Sequence, residues 1–136
     1  MELCAKAISQ MVLRKREKPH IVTHSTDEAA SSSIIAWLEA SGFQVSRVSC
    51  VREIADIASR SGCDLILIFS SEKPGETSAI CLKIRELGLN QPITVYFRNE
   101  PDSDLHSIIA TGVVAHFTKA TNLVDIVDTI SRVLRS

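Results

Sequence analysis

Residues 63–77, with the sequence CDLILIFSSEKPGET, constrain the fold more than any other stretch of the chain. Five consecutive apolar residues run from Leu65 to Phe69, and a polar loop with proline and glycine follows them. A short apolar run without alternation is typical of a strand that is buried on both faces, as at the centre of a parallel sheet. In open α/β sheets, ligands and reacting groups collect just beyond the carboxyl ends of such strands. The residues after Phe69, beginning with Ser70, therefore bear directly on function.

Strand-like and helix-like apolar patterns alternate along the remainder of the chain. We predict strands at residues 20–24, 43–48, 65–69, 93–97 and 113–117. A helical pattern follows each strand; the first four helices end at glycine, and the last has an amphipathic stripe from Leu123 to Leu134. The alternation predicts an α/β fold, with a parallel sheet between two layers of helices and the second strand at its edge.

Residues 1–18 stand apart from this pattern as a predicted amphipathic helix or leader, before a domain at residues 19–136. Leu3, Ala7 and Met11 share one helical face, and a charged segment follows them. The segment packs on the domain, stays a disordered leader, or serves as a dimerisation or partner helix, because a short helix needs a partner to be stable. The sequence leaves these alternatives open, together with a homodimer through this helix or the last one.

The composition excludes several classes of protein. The 136 residues are 45% apolar, which suits one compact domain with a substantial core. The net charge of −1 gives no reason to expect nucleic-acid binding, and no apolar run is long enough to span a membrane. The four cysteines form no C-x-x-C pair, and the first residues lack the order of a signal peptide. We therefore expect reduced thiols, no zinc and a cytoplasmic location.

Several short stretches carry a family resemblance. They are DLILI at residues 64–68, PG at 74–75, PITV at 92–95, GV at 112–113 and FTK at 117–119. They resemble the third strand, the loop after the phosphorylation site, the fourth strand and the approach to the last loop in the receiver domain of bacterial two-component response regulators. The resemblance spans residues 19–136. It implies a flavodoxin-like, doubly wound five-stranded sheet of order 2-1-3-4-5 and a phosphoryl switch.

The resemblance also implies four chemical parts. They are an acidic pair for Mg²⁺ after the first strand, an aspartate nucleophile at the end of the third, a hydroxyl after the fourth and a lysine after the fifth. The matching positions hold Ser25 and Thr26, Phe69 or Ser70 depending on the register, Phe97, and Lys119. Only the lysine is kept. We therefore predict a degenerate receiver, or pseudo-receiver, without catalysis, metal or cofactor, that acts in signalling by phosphorylation-independent protein–protein interaction.

In the family that this chain resembles, partners meet a surface formed by the fourth helix, the fifth strand and the fifth helix. By position, this predicted partner surface contains Leu105, His106, His116 and Thr118, with residues of the last helix. The expected partner is a signalling protein whose identity the sequence does not give.

A second hypothesis is a flavodoxin-like domain that binds a small ligand or nucleotide in the crevice at the carboxyl ends of the strands. The chain lacks a G-x-G-x-x-G phosphate loop and has only five glycines, which argues against a nucleotide. A third hypothesis is residual catalysis through Ser70 or Asp27. Asp27 and Glu28 also suit the first turn of a helix capped by Ser25, and this is the reading that we favour over a retained cation site.

Three further expectations concern individual side chains. We expect Phe97 to fill the vacated pocket against Phe69, the alternative being an exposed partner anchor. Lys119 either lies free on the surface or pairs with Glu72. His116 is expected to be a partly exposed strand residue rather than a pH switch.

Overall fold

The computed structural model describes residues 18–25, 28–70, 73, 75–98 and 105–135, with residues 28–30 described by their backbone. The predicted N-terminal helix lies outside this part of the chain, as do Thr26, Asp27, Ser71 and Glu72. None of the helices within these ranges has the length and apolar character needed to cross a bilayer.

Strands and helices alternate, as the apolar pattern predicts. The strands are β1 (His20–His24), β2 (Gln44–Val48), β3 (Leu65–Phe69), β4 (Ile93–Phe97) and β5 (Val113–Thr118). The helices are α1 (Glu28–Ala40), α2 (Val51–Arg60), α3 (Glu76–Glu86), α4 (Leu105–Ala110) and α5 (Leu123–Arg135). Three predicted strands have the predicted bounds, whereas β2 begins one residue later and β5 ends one residue later than expected.

The five strands form one sheet of order β2-β1-β3-β4-β5, in which all neighbouring strands are parallel. This confirms the predicted flavodoxin-like fold and the edge position of β2. The other edge strand, β5, carries an irregularity: Ile93 pairs with Val113 but Thr94 pairs with Ala115, which leaves Val114 as an extra residue. Such a bulge disrupts regular pairing at an exposed edge and so discourages addition of another strand.

Two apolar layers cover the sheet, one on each face. The first packs α2, α3 and α4 against the sheet, with Ile54, Ile66, Ile68, Ile84, Val95 and Ile108 in its centre. The second packs α1 and α5 against the opposite face, with Leu38, Leu65, Leu67, Phe117, Ile126 and Ile130 in its centre. Successive residues of a strand point to opposite faces, so β3 contributes to both layers.

Polar contacts close the amino end of the sheet between β1 and β3. Asp64 Oδ2 accepts a hydrogen bond from the His20 backbone amide at 2.8 Å. In return, the Asp64 amide donates to the His20 carbonyl at 2.8 Å. The His20 ring joins Gly62 O and Ser46 Oγ, each at 2.7 Å. Because a carbonyl only accepts, Nδ1 carries a proton, and in the neutral ring Nε2 accepts from the serine hydroxyl. His20 is therefore a structural residue with both ring nitrogens satisfied.

Arg85 joins the end of α3 to the two loops that lead into β4 and β5. Its guanidinium donates to the carbonyls of Gln91 at 2.8 Å, Leu89 at 3.0 Å and Thr111 at 3.0 Å. Gly112 lies directly against it: a Cβ there would stand 3.3 Å from Arg85 Nη2, and the backbone φ is +93°. A side chain at position 112 would therefore be strained and would also press on the guanidinium.

We predict that Arg85→Lys destabilises the domain by about 1.5–3 kcal/mol, because one ammonium cannot reproduce the forked set of charge-assisted hydrogen bonds. Urea unfolding measures the change. The control is Arg132→Lys, since Arg132 pairs with Asp128 on the surface, where both side chains are 64% exposed. We expect the control to change stability by less than about 0.5 kcal/mol. Equal effects of the two substitutions would contradict the role assigned to Arg85.

Candidate functional site

The carboxyl edge of the sheet is where the predicted site residues should meet, because all five strands run in the same direction. Ser25 follows β1, Phe69 ends β3, Ser70 follows it and Phe97 ends β4. Lys119 begins the loop after β5. The parallel sheet therefore brings the described members of the set to one edge; their side chains, however, face in different directions.

His24 is the last residue of β1, and its imidazole is buried although one of its nitrogens has no hydrogen-bond partner among the described residues. The side chain is 4% exposed, and no described residue forms a hydrogen bond with Nδ1. Burial lowers the pKa of His24, while the charges of Glu76 and Glu53 and nearby backbone groups partly oppose this shift. His24 is therefore held as a neutral imidazole at the site edge, in a place where sequence reasoning assigned it no role.

The described residues at the ends of β1 and β3 do not fit Mg²⁺. Ser25 offers a hydroxyl, Phe69 a phenyl ring and Ser70 a second hydroxyl, whereas Mg²⁺ is ordinarily held by carboxylate oxygens. Ser70 is half-buried, and its backbone amide donates to the carbonyl of Tyr96 at 2.9 Å. Among the residues that the structure describes, no three His, Cys, Asp or Glu side chains come together as a metal site.

Tyr96 and Phe97 end β4 and point to opposite faces of the sheet. Phe69 is in register with Tyr96, and their rings lie 5.7 Å apart with a tilt of 53°. Phe97 lies in the other layer, is 7% exposed and meets the His116 ring edge-on at 5.8 Å. The prediction that Phe69 covers Phe97 is therefore wrong, because the strand alternation separates them. Phe97 is buried all the same, so it is not an exposed anchor.

Lys119 lies on a loop that is closed by its own hydrogen bonds. The Thr118 amide donates to Thr121 Oγ1 at 3.0 Å, and Thr121 N donates to Thr118 O at 2.9 Å. Asn122 then caps α5, with its Oδ1 accepting from the Asp125 amide at 2.8 Å. Lys119 is exposed and has no ion-pair partner within the described ranges. The predicted partner Glu72 lies outside those ranges, so that ion pair stays a prediction.

The lysine lines an open groove between α1 and the start of α5, which we call the α1–α5 groove. Its volume is about 470 Å³, and its lining includes Ser33, Trp37, Tyr96, Lys119, Asn122 and Ile126. Trp37 Nε1 donates to the Leu123 carbonyl at 3.0 Å and so ties one wall to the other. Ser25 lines a different, smaller hollow of about 120 Å³ with Arg47 and Glu53.

Sequence reasoning missed Trp37 and Tyr96 as site residues. Trp37 is the only tryptophan of the chain and lies in a helix whose apolar spacing predicts burial, yet it is 36% exposed. An aromatic residue at the end of a strand, such as Tyr96, offered a second signal. Neither feature identifies a groove until α1 and α5 are placed side by side.

The four residues named for the predicted partner surface differ in exposure. His106 and His116 are exposed, while Leu105 and Thr118 are half-buried. Large apolar side chains on the same three elements are also exposed, namely Ile109 on α4, Val114 on β5 and Val124 on α5. His116 is an exposed strand residue, as the sequence predicts, and its ring also covers the edge of Phe97.

Solved receiver domains share this arrangement of strands and helices over most of the chain. A response regulator from Thermotoga maritima matches with a TM-score of 0.74 at 18% identity, over 88% of this chain and 99% of that one. A CheY-like receiver domain from Methanospirillum hungatei matches with a TM-score of 0.73 at 18% identity, over 88% and 95%. The chain has the receiver fold. At these identities the likeness establishes architecture alone.

The BeF₃-activated receiver domain of RstA from Klebsiella pneumoniae also matches this receiver fold, with a TM-score of 0.73 at 18% identity, over 86% of this chain and 99% of that one. No family model matches the sequence. No curated protein matches it either. The receiver fold is therefore evident from the three-dimensional structure. Because the sequence identity is low, the chemistry of the site follows from the residues of this chain and not from those of the matched proteins.

We predict that Phe97→Thr lowers the free energy of unfolding by about 1.5–3 kcal/mol, because it removes a buried ring from the α2–α4 layer. Loss of the ring also frees the His116 side chain, which should appear as exchange broadening in NMR spectra. The control is Phe97→Leu, which keeps an apolar group in place and should cost less than the threonine. Unchanged stability together with an unbroadened His116 signal would show that Phe97 does not hold this region in one conformation.

We predict that His24 makes stability fall with acidification. Burial lowers its pKa in the folded state, so below about pH 6.5 the unfolded chain takes up the proton first. The stability is complete above that pH and is lost as the pH falls towards the folded pKa. Denaturant unfolding at pH 7.5 and pH 5.0 should show a smaller loss for His24→Leu than for the wild type. His106→Leu, at an exposed position, should behave as the wild type; equal slopes for all three proteins would refute the assignment.

Proposed function

We propose that this domain works in signal transduction as a receiver that does not use an aspartyl phosphate and that acts by binding another protein. The observation that carries the proposal is the chemistry of the strand ends. Phe69 and Phe97 place buried phenyl rings at the ends of β3 and β4, and Ser25 and Ser70 place hydroxyls after β1 and β3. A stable acyl phosphate requires a carboxylate nucleophile, and none of these four residues supplies one.

The receiver fold is the observation that supports the signalling part of the proposal. A fold suggests a role without establishing it. The binding part rests on the predicted partner surface. There, Ile109 and Val114 are 50% and 54% exposed on α4 and β5, beside the exposed His106 and His116. Apolar side chains rimmed by polar ones are typical of a protein interaction site.

We expect no phosphorylation when the protein is incubated with acetyl phosphate and Mg²⁺ and its intact mass is measured. A receiver domain that retains its aspartate serves as the positive control in the same reaction. A stoichiometric adduct that hydroxylamine removes would reveal an acyl phosphate and refute the proposal. An adduct resistant to hydroxylamine would refute it in favour of residual chemistry at a hydroxyl such as that of Ser70.

The partner surface is tested by charge substitutions at two equally exposed apolar positions. Ile109, on α4, is 50% exposed, and Leu82, on α3 and outside the predicted surface, is 52% exposed. We expect Ile109→Glu to abolish cross-linking of the tagged protein to its partner in cells, whereas Leu82→Glu leaves it intact. Loss with Leu82→Glu alone would move the partner site to α3, and retention with both would remove α4 from it.

A further inference from the structure

The α1–α5 groove has the size of a small-ligand site. Its volume of about 470 Å³ lies within the range of roughly 300–1,000 Å³ that is usual for small-molecule pockets. Its base is apolar and fixed, since Ile34 and Ile126 are 4% and 1% exposed. Its aromatic residues are Trp37 and Tyr96. Trp37 is held by its hydrogen bond to Leu123 O, and Tyr96 by ring contact with Phe69. The groove is thus lined by positioned aromatic side chains.

Several polar groups of the lining have no partner within the part of the chain that the structure describes. They are the Ser33 and Tyr96 hydroxyls, the Asn122 side-chain amide nitrogen and the Lys119 ammonium. All four donate hydrogen bonds, and two of them only donate. Hydrogen-bond donors around an apolar base are typical of sites that orient a ligand with acceptor atoms.

The described part of the lining carries charge of one sign. Among the residues that the structure describes, Lys119 is the only charged one in the lining, and no described aspartate or glutamate contributes to it. The loop hydrogen bonds between Thr118 and Thr121 hold the lysine's backbone in place. The groove also adjoins the first turn of α5, where the helix dipole favours an anion and the nearby Asp125 carboxylate, outside the lining, opposes it. The lining is therefore complementary to a negatively charged ligand.

We propose that the α1–α5 groove binds a small organic anion with a flat apolar body, of which an aromatic carboxylate is the simplest member. The flat body lies over the Ile34 and Ile126 base beside Trp37 and Tyr96, while the carboxylate reaches Lys119. Aromatic contact and an ion pair are each modest in water, so the site is suited to reversible binding of a metabolite-sized ligand. The groove lies on the α1 and α5 layer and borders the α5 part of the predicted partner surface at Val124. The binding of an anion there rests on the groove's own lining and does not depend on that surface.

The single tryptophan makes the test direct, because Trp37 lines the groove and its indole N–H gives one resolved side-chain signal in an ¹⁵N correlation spectrum. The probe is 2-naphthoate, and the uncharged analogue is 2-naphthylmethanol. We expect naphthoate to shift the Trp37 indole signal in a saturable manner, and the alcohol to bind about threefold to fivefold more weakly. Absence of a saturable shift up to roughly 10 mM, where a ligand of ordinary pocket affinity would saturate, overturns the proposal.

Two lysine variants separate groove binding from general attraction. Lys119→Met removes the charge but keeps the length of the side chain, and it should weaken naphthoate about threefold to fivefold without affecting the alcohol. Lys83→Met, at an exposed position on α3 in the opposite layer, should leave both probes unchanged. The assignment of the groove to an anion is overturned if Lys119→Met leaves naphthoate affinity unchanged. It is also overturned if Lys83→Met weakens naphthoate binding as much as Lys119→Met does. Neither outcome bears on the acetyl phosphate experiment, which tests the residues at the ends of the strands.

Discussion

Burial of β3 on both faces is the constraint on which the remainder of the structure depends. Leu65 to Ile68 are 0% exposed and Phe69 is 5% exposed. Each such side chain contributes about 1.5–3 kcal/mol when it leaves water, and the alternation of the strand divides them between the two helical layers. Neither layer therefore forms without the same strand. The end of β3 consequently places Phe69 and Ser70 at the carboxyl edge of the sheet, whatever their chemistry.

The strands could be predicted closely because their apolar runs are bounded by residues that stop them. The starts of the helices were less determined, since an amphipathic stripe defines a face and not a first residue. The pairing of Phe97 with Phe69 failed for a related reason. Period-two alternation is visible in the sequence, but the register that sets Phe69 beside Tyr96 depends on hydrogen bonds between strands far apart in the chain.

In the candidate site, too, some features could be predicted from the sequence and others could not. The resemblance placed Ser25, Phe97 and Lys119 at the ends of strands, and parallel strands bring those ends to one edge; the roles of these residues stay a prediction. It could not show that Lys119 lines a groove with Trp37, since the tie from Trp37 to Leu123 spans 86 residues. Nor could it show that Nδ1 of His24 lacks a hydrogen-bond partner among the described residues, because hydrogen-bond satisfaction is a property of the packed structure.

The end of β4 connects the two proposed sites through adjacent residues. Tyr96 lines the α1–α5 groove and touches Phe69, whereas Phe97 is buried against His116, a residue of the predicted partner surface. By way of Phe97, a ligand in the groove influences that surface only if it binds more tightly to a state in which Phe97 has left His116. Releasing a buried ring costs about 1.5–3 kcal/mol, so the ligand would have to prefer that state by roughly 10–150-fold. A single ion pair to Lys119 is too weak to supply this preference, and most of it would have to come from contact with Tyr96 itself.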